Sequence, residues 1–254
     1  MAYPNDFQPY RTATSAATSA AVLDEGLRAY MLRVYNWMAS GLALTGIVAW
    51  AIAHTSLINL FYRPLPTGGV APTGLAYLSI FAPLVFVMVM SFGVNKLSRP
   101  AAQALYWAFC VAMGMSLTNI FLIYTATSIG VVFFITAGTF AATSLYGYAT
   151  GTDLSRFGSF LMMGLFGIII ASVVNMFVQS SGMQFAISVI GVLVFTGLTA
   201  YDTQRIKADY VQFGSRFGAE AAAMRSVYDA LALYLNFINL FMMLLQLFGQ
   251  TSRR

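Results

Sequence analysis

Charge is what this 254-residue chain has least of: 13 Lys/Arg and 8 Asp/Glu make up 8% of it, where a soluble globular protein carries about a quarter. That shortage excludes a water-soluble domain. Hydrophobic residues are 59% and aromatics 15%, with a mean hydropathy of +0.75, more apolar surface than one soluble core of this size can hide. Disorder and coiled coil are excluded with it. There is one cysteine, Cys110, inside an apolar run, so neither an intrachain disulfide nor a thiolate metal cluster is available. The one histidine, His54, has no acidic or thiol neighbour and reads as an interfacial residue. Without a Cys/His ligand set, zinc is not expected. No glycine-rich phosphate loop follows a strand, and Ser/His/Asp chemistry would rest on that single loop histidine. Intramembrane aspartyl catalysis needs two facing carboxylates, and only Asp202 has the depth. The chain is therefore expected not to be an enzyme and to carry no cofactor. A net charge of +5 and a pI near 9.4 do not point to nucleic acid, because the basic residues are dispersed and flank apolar runs, as a membrane topology requires.

What is there is a set of long uncharged stretches. Residues 34–62, 64–95 and 230–252 carry no formal charge, and each holds one span of about 20 residues. The uncharged stretch 100–152 is broken by YTATSIG at 124–130, and 157–201 by QSSGM at 179–183, so each holds two spans joined by a tight turn. Seven segments result, near 34–53, 73–94, 102–123, 129–149, 158–178, 183–203 and 229–249. All are expected to be helices, because a helix satisfies its own backbone in lipid. Pro83 interrupts the second and is expected to kink it. Small residues at four-residue spacing, Ala104, Ala108, Ala112 and Ser116, then Gly138 and Ala142, then Gly167 and Ala171, predict close helix packing. There is no internal repeat of the kind transporters carry.

Residues 1–28 are rich in Ser, Thr and Ala, without the apolar core of a signal peptide. They are expected to form a flexible polar tail before a seven-helix transmembrane domain over 29–250, with a short basic tail at 251–254. The first helix would be its own insertion signal. A cytoplasmic amino terminus would place Arg11, Arg28, Arg33, Lys96, Arg99, Arg156, Arg205, Lys207, Arg216 and Arg225 inside and leave Arg63 outside, in keeping with the positive-inside rule. Arg253 and Arg254 disagree with a full seventh crossing. The last helix either spans despite them or enters and returns, and the sequence leaves both open.

An acid against an apolar helix is costly and is the first functional candidate. Asp202 closes the sixth segment, Asp229 opens the seventh, and Asp153 sits in the turn after the fourth. On a helix Thr199 and Thr203 lie beside Asp202 with Thr196 beneath, a polar stripe expected to face protein. Asp229 and Asn236 are seven residues apart and nearly aligned, roughly 10 Å along the axis, with Asn239 on a neighbouring face. Such a helix could line a hydrated path. Plainer readings stand beside these: Asp202 pairing with Arg205 at the membrane boundary, Asp229 complementing a helix dipole in a first turn, and Asn236 making an interhelical hydrogen bond.

The runs GLTAYDTQRI at 197–206 and ALALYLNFINLF at 230–241 closely resemble the signature of the Bax inhibitor family, in its bacterial YccA-like branch. The likeness extends over Arg28 to Gly249 and takes in Asn95-Lys-Leu-Ser98 and Thr143-Ser-Leu-Tyr-Gly-Tyr148. It implies a bundle of six helices around a central, moderately hydrophobic seventh. It also implies a pH-sensitive calcium leak channel in which two aspartates, on the sixth and seventh helices, share a proton and control a pore. The first matches Asp202. The second falls on Asn236, where the family's LYLDFINLF reads LYLNFINLF.

That departure has chemical content. Two carboxylates at hydrogen-bond distance titrate as a coupled pair, one of them raised toward neutrality, whereas an Asp/Asn pair has one proton to lose. The amide of Asn236 can donate to Asp202, and its carbonyl can face Ca²⁺ with one formal charge fewer. The expected leak is weaker, or differently pH-dependent, than in a two-aspartate relative. In this reading Asp202 is gate, cation-attracting charge and transient calcium contact, Asn236 its partner, and Asp229 a secondary acid at the pore mouth. Lys96, Arg99 or Arg205 would supply a competing positive charge. The alternative is an interaction protein that modulates a membrane-bound quality-control protease through the tail before Leu27 and the polar stretch Ile206 to Arg225. The resemblance places the chain in a bacterial inner membrane.

Overall fold

A computed structural model of the chain describes residues 9–65, 69–93, 97–213 and 218–252. In chain order it has α1 Pro9–His54, the short α2 Ile58–Phe61, a hairpin of β1 Tyr62–Leu65 and β2 Gly69–Pro72, α3 Gly74–Gly93, α4 Arg99–Leu117 and the short α5 Ile120–Ile123. There follow α6 Ala126–Ala149, α7 Ser155–Val178, α8 Ser181–Phe213 and α9 Ala219–Phe248. Seven of these stretches are long and apolar enough to cross a bilayer, and the protein is an all-α membrane protein.

Each long uncharged stretch became the expected helix or helix pair. The turn at 179–183 is tight because Gln179 takes the left-handed conformation (φ 53°) that ends α7. Thr125 starts α6 by accepting the backbone N–H of Ser128 on its hydroxyl. The first helix reaches back to Pro9, into the segment expected to be a polar tail, through an alanine-rich run that suits a helix. That the polar stretch Ile206 to Arg225 would be a loop is corrected: α8 continues to Phe213 and α9 already begins at Ala219. Both ends are rich in Ala, Lys, Arg, Gln and Glu, strong helix formers that need no lipid. The hairpin between the first two spans pairs Tyr62 with Pro72 and Arg63 with Ala71.

The last helix is the axis of the bundle. Of its apolar window 56% is buried, against 11% for α7 and 22% for α3. It packs against α8, α1, α6 and α4, while α3 packs chiefly on α4, and α7 on α8. The expected six helices around a seventh are thus four flanking helices and two outer ones. Outward-facing Phe92, Phe134, Phe160 and Phe177 form the kind of continuous apolar surface that belongs in lipid.

The small-residue stripe of α4 does sit in a packed helix, with Ala112 buried, but those of α6 and α7 do not mark close packing. A Cβ on Gly138 or Gly167 would meet open space, whereas one on Gly147 would lie 2.2 Å from the Ala200 carbonyl oxygen. There α6 and α8 approach backbone to backbone.

The ends of α9 settle how it runs. It starts beside the end of α8, where Arg225 pairs with Asp209. Its far end is held at the start of α6: Thr125 N–H donates to the Gln250 carbonyl at 3.1 Å, Ser252 N–H to the Ile123 carbonyl at 2.8 Å, and Gln250 N–H to Ser128 Oγ at 2.9 Å. At about 1.5 Å per residue, an unbroken 30-residue helix is longer than the roughly 30 Å hydrocarbon layer. The helix traverses the bundle and does not turn back.

Candidate functional site

Asp202 sits on the inner face of α8, 8% exposed. Burying a carboxylate is costly unless its oxygens are satisfied, and both are. Asn236 of α9 donates Nδ2 to Oδ2 at 2.7 Å, across 34 residues of sequence. Arg205, one turn on, stands 3.0 Å from Oδ1 with its own side chain 42% exposed. The interhelical amide contact and the boundary ion pair, set out as separate readings of this residue, coexist on opposite oxygens. Arg205 is therefore the cation that reaches Asp202. Arg99 lines a different hollow, and Lys96 lies outside the described residues, as does Asn95.

The threonine stripe faces protein. Thr199 and Thr203 are fully buried, each bonding a carbonyl one turn back, Phe195 and Thr199 respectively. Thr203 continues sideways to Ser144 Oγ at 2.9 Å, and Ser144 to Tyr35 Oη at 2.6 Å. A row of hydroxyls thus leads from beside Asp202 through α6 to α1. Thr196 Oγ1 is buried without a hydrogen-bond partner among the described residues, and Asn239 is half-buried.

Asp229 does not complement the start of a helix. Because α9 begins at Ala219, the acid of its first turn is Glu220, and Asp229 lies nearly three turns further in, 8% exposed. Tyr30 of α1 donates its hydroxyl to Oδ2 at 2.6 Å, and Arg225 Nε is 4.0 Å away. Tyr30 also stacks on Tyr210 of α8, ring centroids 4.8 Å apart. The Tyr30 partnership went unseen in the sequence because no local spacing relates α1 to α9. Its one signal was an acid deep in an apolar helix.

The remaining candidates are structural. Asp153 is exposed in the turn before α7, accepting the Ser155 N–H at 2.9 Å, and this bond holds its carboxyl below the usual range. His54 donates Nδ1 to the Trp50 carbonyl at 2.9 Å and stacks on the Trp50 ring, an interfacial arrangement. Cys110 is buried.

The family model described as Inhibitor of apoptosis-promoting Bax1 matches residues 27–253. An uncharacterized protein of Caulobacter vibrioides is 42% identical over 96% of this chain and 98% of its own. Inner membrane protein YbhL of Escherichia coli is 45% identical over 88% of this chain and 92% of its own. The Rickettsia prowazekii protein RP147, also uncharacterized, is 42% identical over 94% and 97%.

Proposed function

The chain belongs to the Bax inhibitor family, and on that premise we propose that it is a pH-sensitive leak pathway for cations, calcium among them, gated at Asp202. The observation that carries this reading is a buried carboxylate whose two oxygens are divided between an interior amide and a mobile-length cation at the boundary. Arg205 and a metal cation compete for the same oxygen. With Arg205 seated, the site is neutral and filled. When Arg205 swings out, Asp202 Oδ1 and the Asn236 carbonyl offer hard oxygen ligands of the type calcium takes. Protonation of Asp202 removes both the ion pair and the cation attraction, which is how external pH enters. Asp229 lies on the same helix as Asn236, two turns nearer the end where Arg225 and Asp209 pair, and serves as a secondary acid toward the mouth. No covalent chemistry is required of any residue, and the protein is not an enzyme in this reading.

We place the protein in a bacterial inner membrane with the amino terminus cytoplasmic. The positive residues Arg28, Arg33, Arg99, Arg156, Arg205, Lys207 and Arg225 support this, as does the name of the E. coli relative.

Calcium flux in proteoliposomes tests the reading. Asp202→Ala should abolish the pH-dependent part of the flux, and an unchanged flux would remove the site. A second reading is modulation of a membrane protease, for which the polar helix ends 206–213 of α8 and 219–225 of α9 would offer the contact surface. Under it, deleting the residues before Leu27 should impair the protease effect and leave flux intact.

A further inference from the structure

Where α4 and α9 begin, beside the middle of α1, a pocket of about 490 Å³ is lined by Arg33, Trp37, Arg99, Gln103, Glu220 and Ala223. It lies within the size range of ligand sites, about 300–1,000 Å³. A second, more apolar hollow of about 650 Å³ shares Arg33 and Trp37 with it and continues past Ser40 and Trp107. The ion pairs among the described residues are Arg205 with Asp202 and Arg225 with Asp209 and Asp229. The Arg33 and Arg99 guanidinium groups belong to none of them. Two arginines from different helices against the single acid Glu220 leave a surplus of one positive charge.

The Trp37 edge that the two hollows share is held by packing. Trp37 and Trp107 rings are 5.4 Å apart, Trp37 meets the edge of Tyr106, and Tyr106 Oη donates to the Trp37 carbonyl at 2.8 Å. Guanidinium pairs recognise phosphate oxygens with fixed donor geometry, and tryptophan favours the level between headgroup and acyl chain. A polar, net-positive pocket beside a tryptophan-lined groove, with Arg33 and Trp37 lining both, suits a molecule with an anionic head and an apolar tail. A free anion would leave the groove unused.

We propose that this double hollow binds one anionic glycerophospholipid. Its phosphodiester lies between Arg33 and Arg99, with the Gln103 amide as a further donor. Its glycerol and upper acyl carbons lie along Trp37 and Trp107. Glu220 limits the site to a single negative charge.

Native mass spectrometry of the full-length protein in detergent, titrated with phosphatidylglycerol or phosphatidylcholine, tests this. The wild type should hold one phosphatidylglycerol in preference to phosphatidylcholine. Arg33→Gln with Arg99→Gln should weaken that adduct about tenfold or more, the scale of a lost charge-assisted hydrogen bond. Arg156→Gln, an exposed arginine on α7, should leave it unchanged, and Glu220→Gln should tighten it. Equal binding of the two lipids, or equal loss in Arg156→Gln, would reduce the site to general attraction by a basic surface and overturn the proposal. So would displacement of phosphatidylglycerol by millimolar inorganic phosphate, which would identify a soluble-anion site. A measurement without variants stands beside it. Two of the three tryptophans line the hollow, so phosphatidylglycerol with brominated acyl chains should quench fluorescence more than brominated phosphatidylcholine, and equal quenching counts against the site.

Discussion

Tyr30 and Asp229, 199 residues apart, share a 2.6 Å hydrogen bond that ties the first membrane helix to the last. Its removal leaves a buried carboxylate oxygen with Arg225 Nε at 4.0 Å as its remaining described neighbour. Tyr30→Phe keeps the ring stacked on Tyr210 and deletes only the donor. Leaving a buried acceptor unsatisfied costs about 1–3 kcal/mol, so this variant should melt several degrees lower in a detergent thermal-shift assay. Asp229→Asn, which retains an oxygen to accept the hydroxyl, should cost less. Equal melting temperatures for Tyr30→Phe and the wild type would show that the contact contributes nothing.

A second carboxylate at position 236 would stand where the amide now stands, 2.7 Å from Asp202 Oδ2. Two acids at that distance share a proton over a range in which a lone carboxylate is ionised. Asn236→Asp should therefore move the midpoint of the flux-against-pH curve to higher pH by roughly one unit or more. The same substitution adds a charged ligand, and calcium flux above the midpoint should rise. Superimposable curves for the two proteins would remove Asn236 from gating.

Asp153 supplies the control for that experiment. The Ser155 N–H holds its carboxyl below the ordinary range, so its folded-state pKa is depressed. Its contribution is complete above the ordinary carboxylate range and is lost only as pH falls through the depressed value. Between about pH 6 and about pH 8 nothing titrates there, and Asp153→Asn should leave the flux curve where it is. A shifted curve would mean that pH reaches the pore through the α6–α7 turn.

The number and placement of the membrane helices were legible because gaps between charges report where lipid begins and ends. That same signal is silent where helix continues in water, which is why the last turns of α8 and the first of α9 were read as a polar stretch. Knowing where α9 begins changes the meaning of Asp229 from a first-turn acid to a buried one. Apolar content carries part of the arrangement, since the outer α3 and α7 are the most hydrophobic spans, at 2.2 and 2.3 against 1.8 for the central α9. What distinguishes α9 is burial, which depends on partners. The Asp202 and Asn236 juxtaposition was reachable through the family pattern, and Arg205 through i, i+3 spacing. Tyr30, Ser144 and Tyr35 were reachable through neither.

Gly147 and Ala200 test the helix approach that supports the site. A methyl at 147 would fall 2.2 Å from a backbone oxygen, which no side-chain rotation relieves, so α6 and α8 must separate. Overpacking of this kind costs about 1–3 kcal/mol and sometimes more. The Ser144 to Thr203 bond, 2.9 Å long and under one turn away, would stretch with it. Gly147→Ala should lower the melting temperature and alter flux, while Gly138→Ala, which meets open space, should be neutral or raise stability by up to about 1 kcal/mol through helix propensity. The reverse ranking would contradict the packing described.

The unbroken path of α9 carries a prediction about which face each end of the chain occupies. Seven crossings would put the ends on opposite sides, and the backbone bonds of Gln250 and Ser252 to the α5–α6 region hold the far end of α9 in place. Arg253 and Arg254, which lie outside the described residues, would then be carried to the face of Arg63, opposite the remaining basic residues. By the positive-inside rule the six earlier helices would already be oriented by their flanking charges, and a final pair of arginines would have only one helix left to influence. Introduced cysteines can read this out, because Cys110 is buried and gives no background. With a membrane-impermeant maleimide, Asp24→Cys should label only in inverted inner-membrane vesicles and Thr251→Cys only in right-side-out ones. Labelling of both from one face would mean that the last helix returns, and the assignment of Asp202 and Asn236 to a transmembrane path would fall with it.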